Sequence, residues 1–179
     1  MATTKTAWTI DPTHSEVQFK VKHLVISTVT GSFKSFEGSA ETDGDSFEGA
    51  SVKFSADINS IDTNMEQRDA HLKSADFFDA ENFPTLSFVS TSFTQKSDDE
   101  YVIVGDLTLR GVTKSVALSA EYGGQMLDFY GNNKVGFEIS GKINRKDFGL
   151  NWAAVTEAGG IVVSDEVKLH INIQLVKQA

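Results

Sequence analysis

The chain contains no cysteine. That removes disulfides, thiolate nucleophiles and Cys-type zinc sites together, and it leaves the redox compartment unread. Proline is nearly missing, at 2 residues of 179. No stretch has the composition of a linker, so a single domain over 1–179 is expected, with residues 1–7 as a flexible N-terminus. Positive charge is scarce as well: Lys+Arg 16 against Asp+Glu 25 gives a formal charge of -9. That sign repels phosphate backbones and anionic lipid headgroups, which disfavours nucleic acid and stable membrane association as partners. No apolar run reaches the roughly eighteen residues of a membrane helix. The opening Met1-Ala2-Thr3-Thr4-Lys5-Thr6-Ala7 lacks the apolar stretch of a secretory signal. The expected compartment is the cytoplasm as the sequence stands, or the periplasm where a leader has been removed. Histidine occurs only at 14, 23, 71 and 170, with no i, i+2 or i, i+4 pair. In extended chain His14 and His23 stand roughly 30 Å apart, so no metal centre is expected.

What the chain has in quantity is alternation with a period of two. Val17, Phe19, Val21 and His23 alternate with Gln18, Lys20 and Lys22 near the start. Val167, Leu169, Ile171, Ile173 and Leu175 alternate with Lys168, His170, Asn172 and Gln174 near the end. Val52/Phe54/Ala56/Ile58, Val116/Leu118/Ala120/Tyr122 and Val135/Phe137/Ile139/Gly141/Ile143 repeat the pattern. Antiparallel strands with one dry and one wet face read this way. Eight strands are expected near 15–24, 29–42, 48–60, 84–94, 100–109, 113–122, 134–146 and 164–176. In the second, the alternation slips around Ser35-Phe36, the sign of a bulge. Ser35-Phe36-Glu37-Gly38 and Ser46-Phe47-Glu48-Gly49 flank Asp43-Gly44 and read as the two arms of a hairpin.

One helix interrupts the strands. Thr63-Asn64-Met65-Glu66 fits a capping box with Thr63 as N-cap, and Met65, Arg68, Asp69 and Leu72 then share one face as far as about Ser74. Phe83-Pro84 forces an extended start to the next strand.

So many strands hide their edges best in a sandwich or a closed barrel. A membrane barrel would turn its apolar face outward, whereas Lys168, His170, Asn172 and Gln174 mark the second face as wet. The apolar face therefore points inward, and an eight-stranded barrel either fills with side chains or holds one small ligand. Gly105 and Gly141 on the lining face lean towards an internal space. Catalytic signals are weak. Asp11, His14 and Ser15 sit in extended chain, where neighbours point to opposite sides, and there is no Gly-x-Ser-x-Gly elbow. Local backbone hydrogen bonds are the expected role of Asp11 and Ser15. Arg145 continues the inward alternation at a strand end, suited either to a ligand head group or to a pair with a carboxylate such as Asp147. The head of Arg68 is expected on Asp62, Asp76 or Asp79, with a ligand as the other possibility.

The opening Trp8-Thr9-Ile10-Asp11-Pro12-Thr13-His14-Ser15, with Phe19, His23 and Gly31-Ser32-Phe33, resembles the YceI-like family. The resemblance continues through Ser60–Thr63, Arg68–Leu72, Asp76–Asp79, Phe83–Phe88, Gly105–Lys114 and Ile143–Leu150, nearly the whole chain in order. It implies an extended lipocalin-like barrel of eight antiparallel strands, all-β, with one short helix inserted between strands 3 and 4. It also implies a bound long-chain amphiphile, such as a polyprenyl phosphate, an isoprenoid quinone or a fatty amide, in an internal tunnel, often in a homodimer; with the catalytic signals weak, no enzyme activity and no cofactor beyond the ligand are expected. The tunnel lining is expected at Val17, Phe19, Val21, Val52, Phe54, Leu86, Phe88, Leu107, Leu118, Phe137, Ile139, Leu169 and Ile171, with Arg145, His23 and Arg68 near a head group. Two alternatives stay open: an enzyme acting on a lipid-like substrate, and a solid-core, stress-related domain that binds a protein partner.

Overall fold

A computed structural model describes residues 5–23, 27–150 and 163–178. The chain runs through β1 (Lys5–Ile10), β2 (Glu16–His23), β3 (Ser27–Phe33), β4 (Phe36–Asp43), β5 (Ser46–Asp57) and the two-residue β6 (Ile61–Asp62). The helix α1 (Glu66–Lys73) follows, then β7 (Thr85–Gln95), β8 (Glu100–Leu109), β9 (Val112–Leu127), β10 (Asn133–Asn144) and β11 (Val163–Lys177).

All pairings are antiparallel, and the order β1-β4-β5-β7-β8-β9-β10-β11 closes through a pairing of β11 with β1. Eight staves therefore make a complete barrel, with no free edge in the ring. The eleven segments reduce to eight staves because three staves are broken, the third being β5, which continues past the turn Ile58–Ser60 as β6 and there pairs with β3. β1 and β2 both lie antiparallel to β11, pairing Ile10 with Leu175 and Val17 with Ile171. Between them Pro12–His14 form one 3-10 turn, capped by the Asp11 side chain on the Thr13 N–H. β3 and β4 make up the next stave, broken at Lys34-Ser35, where the slipping alternation indicated a bulge. The Asp43-Gly44 turn joins β4 to β5 as a hairpin, with Gly44 at φ 61° supplying a left-handed position that suits glycine.

Two expectations about ends need correction. Residues 5–7 are not a flexible terminus: Lys5, Thr6 and Ala7 pair with Asp43, Thr42 and Glu41 of β4. Nor is Thr63 a helix cap. The helix starts at Glu66 with Met65 at the cap position and no side-chain capping bond, and Met65 is exposed. Thr63 is buried and tied to the helix differently, since its N–H and hydroxyl both donate to Asp69 Oδ1, at 2.9 and 2.5 Å. A carboxylate six residues on outcompeted the local box.

One end of the barrel is filled by rings. Trp8, fully buried, packs at 5.2 Å on Phe47, which meets Phe137 edge-on at 5.0 Å; Phe93, Tyr101 and Tyr122 complete the cluster. Trp8 Nε1 donates to Thr42 Oγ1 at 2.9 Å, and that hydroxyl donates to the Gly44 carbonyl at 2.6 Å, so the one polar group of the ring is satisfied in the interior. At the other end the staves are covered by α1, the segment 74–84 and the turn Arg145–Phe148.

Candidate functional site: an apolar cavity along the barrel

A cavity of about 200 Å³ occupies the barrel interior. It runs from Phe47, Phe93 and Phe137 at the aromatic end to Leu72, Phe77, Phe78 and Leu150 under the helical cover. An apolar cavity of roughly 150 Å³ is already enough to stay dry and take a small hydrocarbon. All thirteen positions read as inward-facing lining, from Val17 to Ile171, border this space. Their burial is graded: Leu86, Phe88, Leu107, Leu118, Phe137 and Ile139 are core, whereas Phe19, Val52, Phe54, Leu169 and Ile171 are only partly covered.

The glycines on the lining face are not vacancies. A Cβ on Gly105 would lie 2.5 Å from Cζ of Phe88, and one on Gly141 would lie 2.5 Å from Cδ2 of Leu118. Gly31 is covered in the same way by the ring of Phe19, at 2.3 Å. Each glycine accepts a large neighbour against the barrel wall, and Phe19, Phe88 and Leu118 border the cavity from that position.

Arg145 is the one charged residue among the described residues lining the cavity. It sits at the start of the short turn Arg145–Phe148, one residue past β10, and is buried. Its Nε donates to the Ser164 carbonyl at 2.9 Å and Nη1 to the Leu150 carbonyl at 2.6 Å. Nη2 lies 3.7 Å from a carboxylate oxygen of Asp165, which replaces Asp147 as the acidic partner. Burial pushes the guanidinium below its ordinary value, and Asp165 works in the opposite sense.

Arg68 does not reach the cavity. Its Nε donates to Thr63 Oγ1 at 2.7 Å and Nη2 to the Thr63 carbonyl at 2.6 Å, so neither a ligand nor Asp62, Asp76 or Asp79 is its partner in these bonds. With Asp69 on the same threonine, it pins α1 to the end of β6. The side chain of His23 lies outside the described residues. Arg110, which sequence reasoning passed over, fastens the cover: its Nη1 donates to the carbonyls of Phe77 and Gly149 at 3.1 and 3.2 Å. It takes a left-handed φ of 50° in the β8–β9 turn, which a Leu-Arg-Gly-Val string does not announce.

The polar residues near the start are joined in a local network, in which the Thr13 hydroxyl also lies 3.1 Å from His14 Nδ1. Asp11 accepts from the Thr13 hydroxyl at 2.6 Å, contacts His14 Nδ1 at 2.8 Å and accepts from Lys134 Nζ at 3.0 Å. The Thr13 hydroxyl first, and His14 next, hold its carboxyl far below the usual carboxylate range. Ser15 is buried, and its Oγ accepts from the Gln174 N–H across the sheet, not from a local group. His14 is thus joined to Asp11, and the serine hydroxyl is spent on β11. Among the described residues no group of His, Cys, Asp and Glu is placed to hold a metal ion, and no helix is long and apolar enough to cross a membrane.

The YceI-like domain matches residues 8–175. Protein YceI of Salmonella newport is 41% identical over 165 residues, covering 92% of this chain and 83% of that protein. The crystal structure of a Campylobacter jejuni YCEI protein superposes with a TM-score of 0.77 at 32% identity, covering 89% of this chain and 91% of the other. BcnA of Burkholderia cenocepacia gives a TM-score of 0.80 at 21% identity over 92% and 98% of the two chains. A polyisoprenoid binding domain from Saccharophagus degradans gives 0.69 at 16% over 96% and 98%. These last two likenesses speak for the fold alone, a closed lipocalin-like barrel. The domain match across the barrel staves, together with the identity to Protein YceI, makes this chain a member of the YceI-like family.

Proposed function

We propose that the protein sequesters or carries a long-chain amphiphile, an isoprenoid in the first instance, inside the barrel and without covalent chemistry. The observation that carries this reading is the apolar cavity that follows the barrel from the aromatic cluster to the helical cover. Burial of the ligand's chain supplies the drive, at about 25 cal/mol per Å² of apolar area before ordering costs. The aromatic cluster closes one end with ring-on-ring contacts, so the chain enters tail first and leaves its head group under α1 and the Arg145 turn. A longer chain needs more room than the cavity offers at rest. The partly covered Phe19, Phe54 and Leu169 are the side chains that would have to change rotamer to admit it.

The fold likeness to a polyisoprenoid binding domain supports the same ligand class. The arrangement of Asp11, Thr13, His14 and Ser15 supports a carrier over an enzyme, because none of the four lines the cavity, the Thr13 hydroxyl near His14 already donates to Asp11, and Ser15 is bonded to β11. The test is organic extraction of protein purified from its native cells, followed by mass spectrometry. Stoichiometric recovery of a long-chain amphiphile is the expected result. Repeated lipid-free extracts, with no rise in melting temperature on adding prenyl or quinone compounds, overturn the proposal.

A further inference from the structure

Among the described residues that line the cavity, no positive charge is left without a partner. Arg145 is the only charged side chain among the described lining residues, and its guanidinium already serves the carbonyls of Ser164 and Leu150. The carboxylate of Asp165 lies 3.7 Å from it and cancels its charge towards anything arriving in the lumen. Lys146, the neighbouring cation, is 3.3 Å from the same Asp165 oxygen. That oxygen is buried and accepts no hydrogen bond, so charge alone accounts for its place between two cations. Asp165, half-exposed but with this oxygen turned inward, therefore acts as a counter-ion to this corner of the barrel.

The cover adds to the effect. Between residues 62 and 82 the chain carries Asp62, Glu66, Asp69, Asp76, Asp79 and Glu81 against Arg68 and Lys73. Arg68 is bound to Thr63, so its donors are turned into the protein. Arg110, the remaining arginine at this end, is spent on the carbonyls of Phe77 and Gly149. A phosphate or diphosphate moved to such a place loses water, faces a net acidic cover and finds its one buried cation already paired. Desolvation of an ion without a partner is among the costliest steps in binding. An uncharged head group loses little by the same transfer.

We infer that this barrel selects long isoprenoid or acyl chains with an uncharged head group (a quinone, alcohol, ester or amide) over the corresponding phosphates, with Asp165 as the residue that enforces the choice. The inference rests on the carrier reading above and narrows it.

The experiment uses delipidated full-length protein and two probes of equal chain length, geranylgeraniol and geranylgeranyl monophosphate, each competing for a bound fluorescent polyene. The alcohol is expected to bind at least about tenfold more tightly, and the phosphate's affinity to improve as salt screens the acidic cover. In Asp165→Asn the gap should narrow severalfold, with the alcohol's affinity unchanged. Phosphate binding equal to or tighter than the alcohol's overturns the selectivity while leaving the carrier reading standing. A gap that Asp165→Asn leaves unaltered overturns the role of Asp165. Failure of both probes to bind overturns the carrier reading itself, and this inference with it. Circular dichroism of the variant guards against misfolding, and Asp165→Ser offers a second neutral replacement should the asparagine fail to fold.

Discussion

The ring of Phe88 lies over Gly105 of the neighbouring strand, so close that a Cβ on the glycine would stand 2.5 Å from Cζ of the ring and 2.6 Å from the Val89 carbonyl oxygen. Gly141 stands in a similar relation to Leu118, at 2.5 Å, but there the obstacle is the end of a flexible side chain and the nearest backbone atom is 3.6 Å away. The two glycines thus answer differently to the same added methyl. Gly105→Ala is expected to cost about 1–3 kcal/mol, because backbone and ring must both shift. Gly141→Ala is expected to cost clearly less, since Leu118 can change rotamer. Urea unfolding of the two variants checks the order, and equal losses contradict the assignment.

Asp11, at the break in the first stave, contributes to the acid dependence of stability. Its carboxyl is held far below the usual range, chiefly by the Thr13 hydroxyl, with His14 and Lys134 adding to the effect. A group whose folded pKa is depressed contributes stability above its unfolded pKa of about 4, and loses it as pH falls towards the folded value. Stability should therefore decline below about pH 4, with a shallower decline in Asp11→Asn, which lacks the titrating group. Denaturant midpoints between about pH 2 and pH 6 provide the measurement. Parallel acid limbs for the parent and the variant contradict it.

Chelation should leave the protein indifferent. The described residues bring no metal-binding cluster together, and His71 and His170 are engaged at 2.9 Å with Asp76 and Glu138 respectively. Treatment with EDTA is expected to change neither melting temperature nor lipid uptake. A stoichiometric zinc or iron whose loss abolished uptake would refute this.

The staves and the lining were legible because a half-buried strand writes its faces into the sequence at every second residue. Val17-Phe19-Val21 and Leu169-Ile171 needed nothing further to be placed. Lys5–Ile10 was harder to see: only Trp8 and Ile10 mark its buried face, too few for a periodic signal. The aromatic cluster was invisible for another reason. Trp8, Phe47, Phe93, Tyr101 and Phe137 come from five different strands, and only closure of the barrel makes them neighbours. Polar partners were the least legible. Thr63 read as a cap until Asp69 and Arg68 claimed it, and Arg145 found Asp165 twenty residues away instead of Asp147 two residues away. Local spacing ranks such choices poorly, because one carboxylate is chemically as good as the next and only tertiary geometry decides among them.

Phe19 and Phe88 distinguish a cavity that serves a ligand from one that is only a packing defect. Both rings border the cavity, yet Phe88 is nearly enclosed while Phe19 is partly exposed. Each also covers a glycine on the adjacent strand, so one face of each ring packs on the wall and another looks into the lumen. In a tight core, Phe→Ala costs about 3–5 kcal/mol, because surrounding atoms lose their partners to a new void. Here part of each ring already faces empty space, so delipidated Phe19→Ala and Phe88→Ala are expected to stay folded and to lose less than that, with Phe19→Ala the milder. Uptake of geranylgeraniol should weaken by about five- to thirtyfold in each, the equivalent of one to two kcal/mol of lost apolar contact. Samples must be stripped first, since bound lipid would itself raise the parent's apparent stability. If both variants show the full core loss, or if uptake is untouched, the two rings belong to the structural core and not to the binding surface.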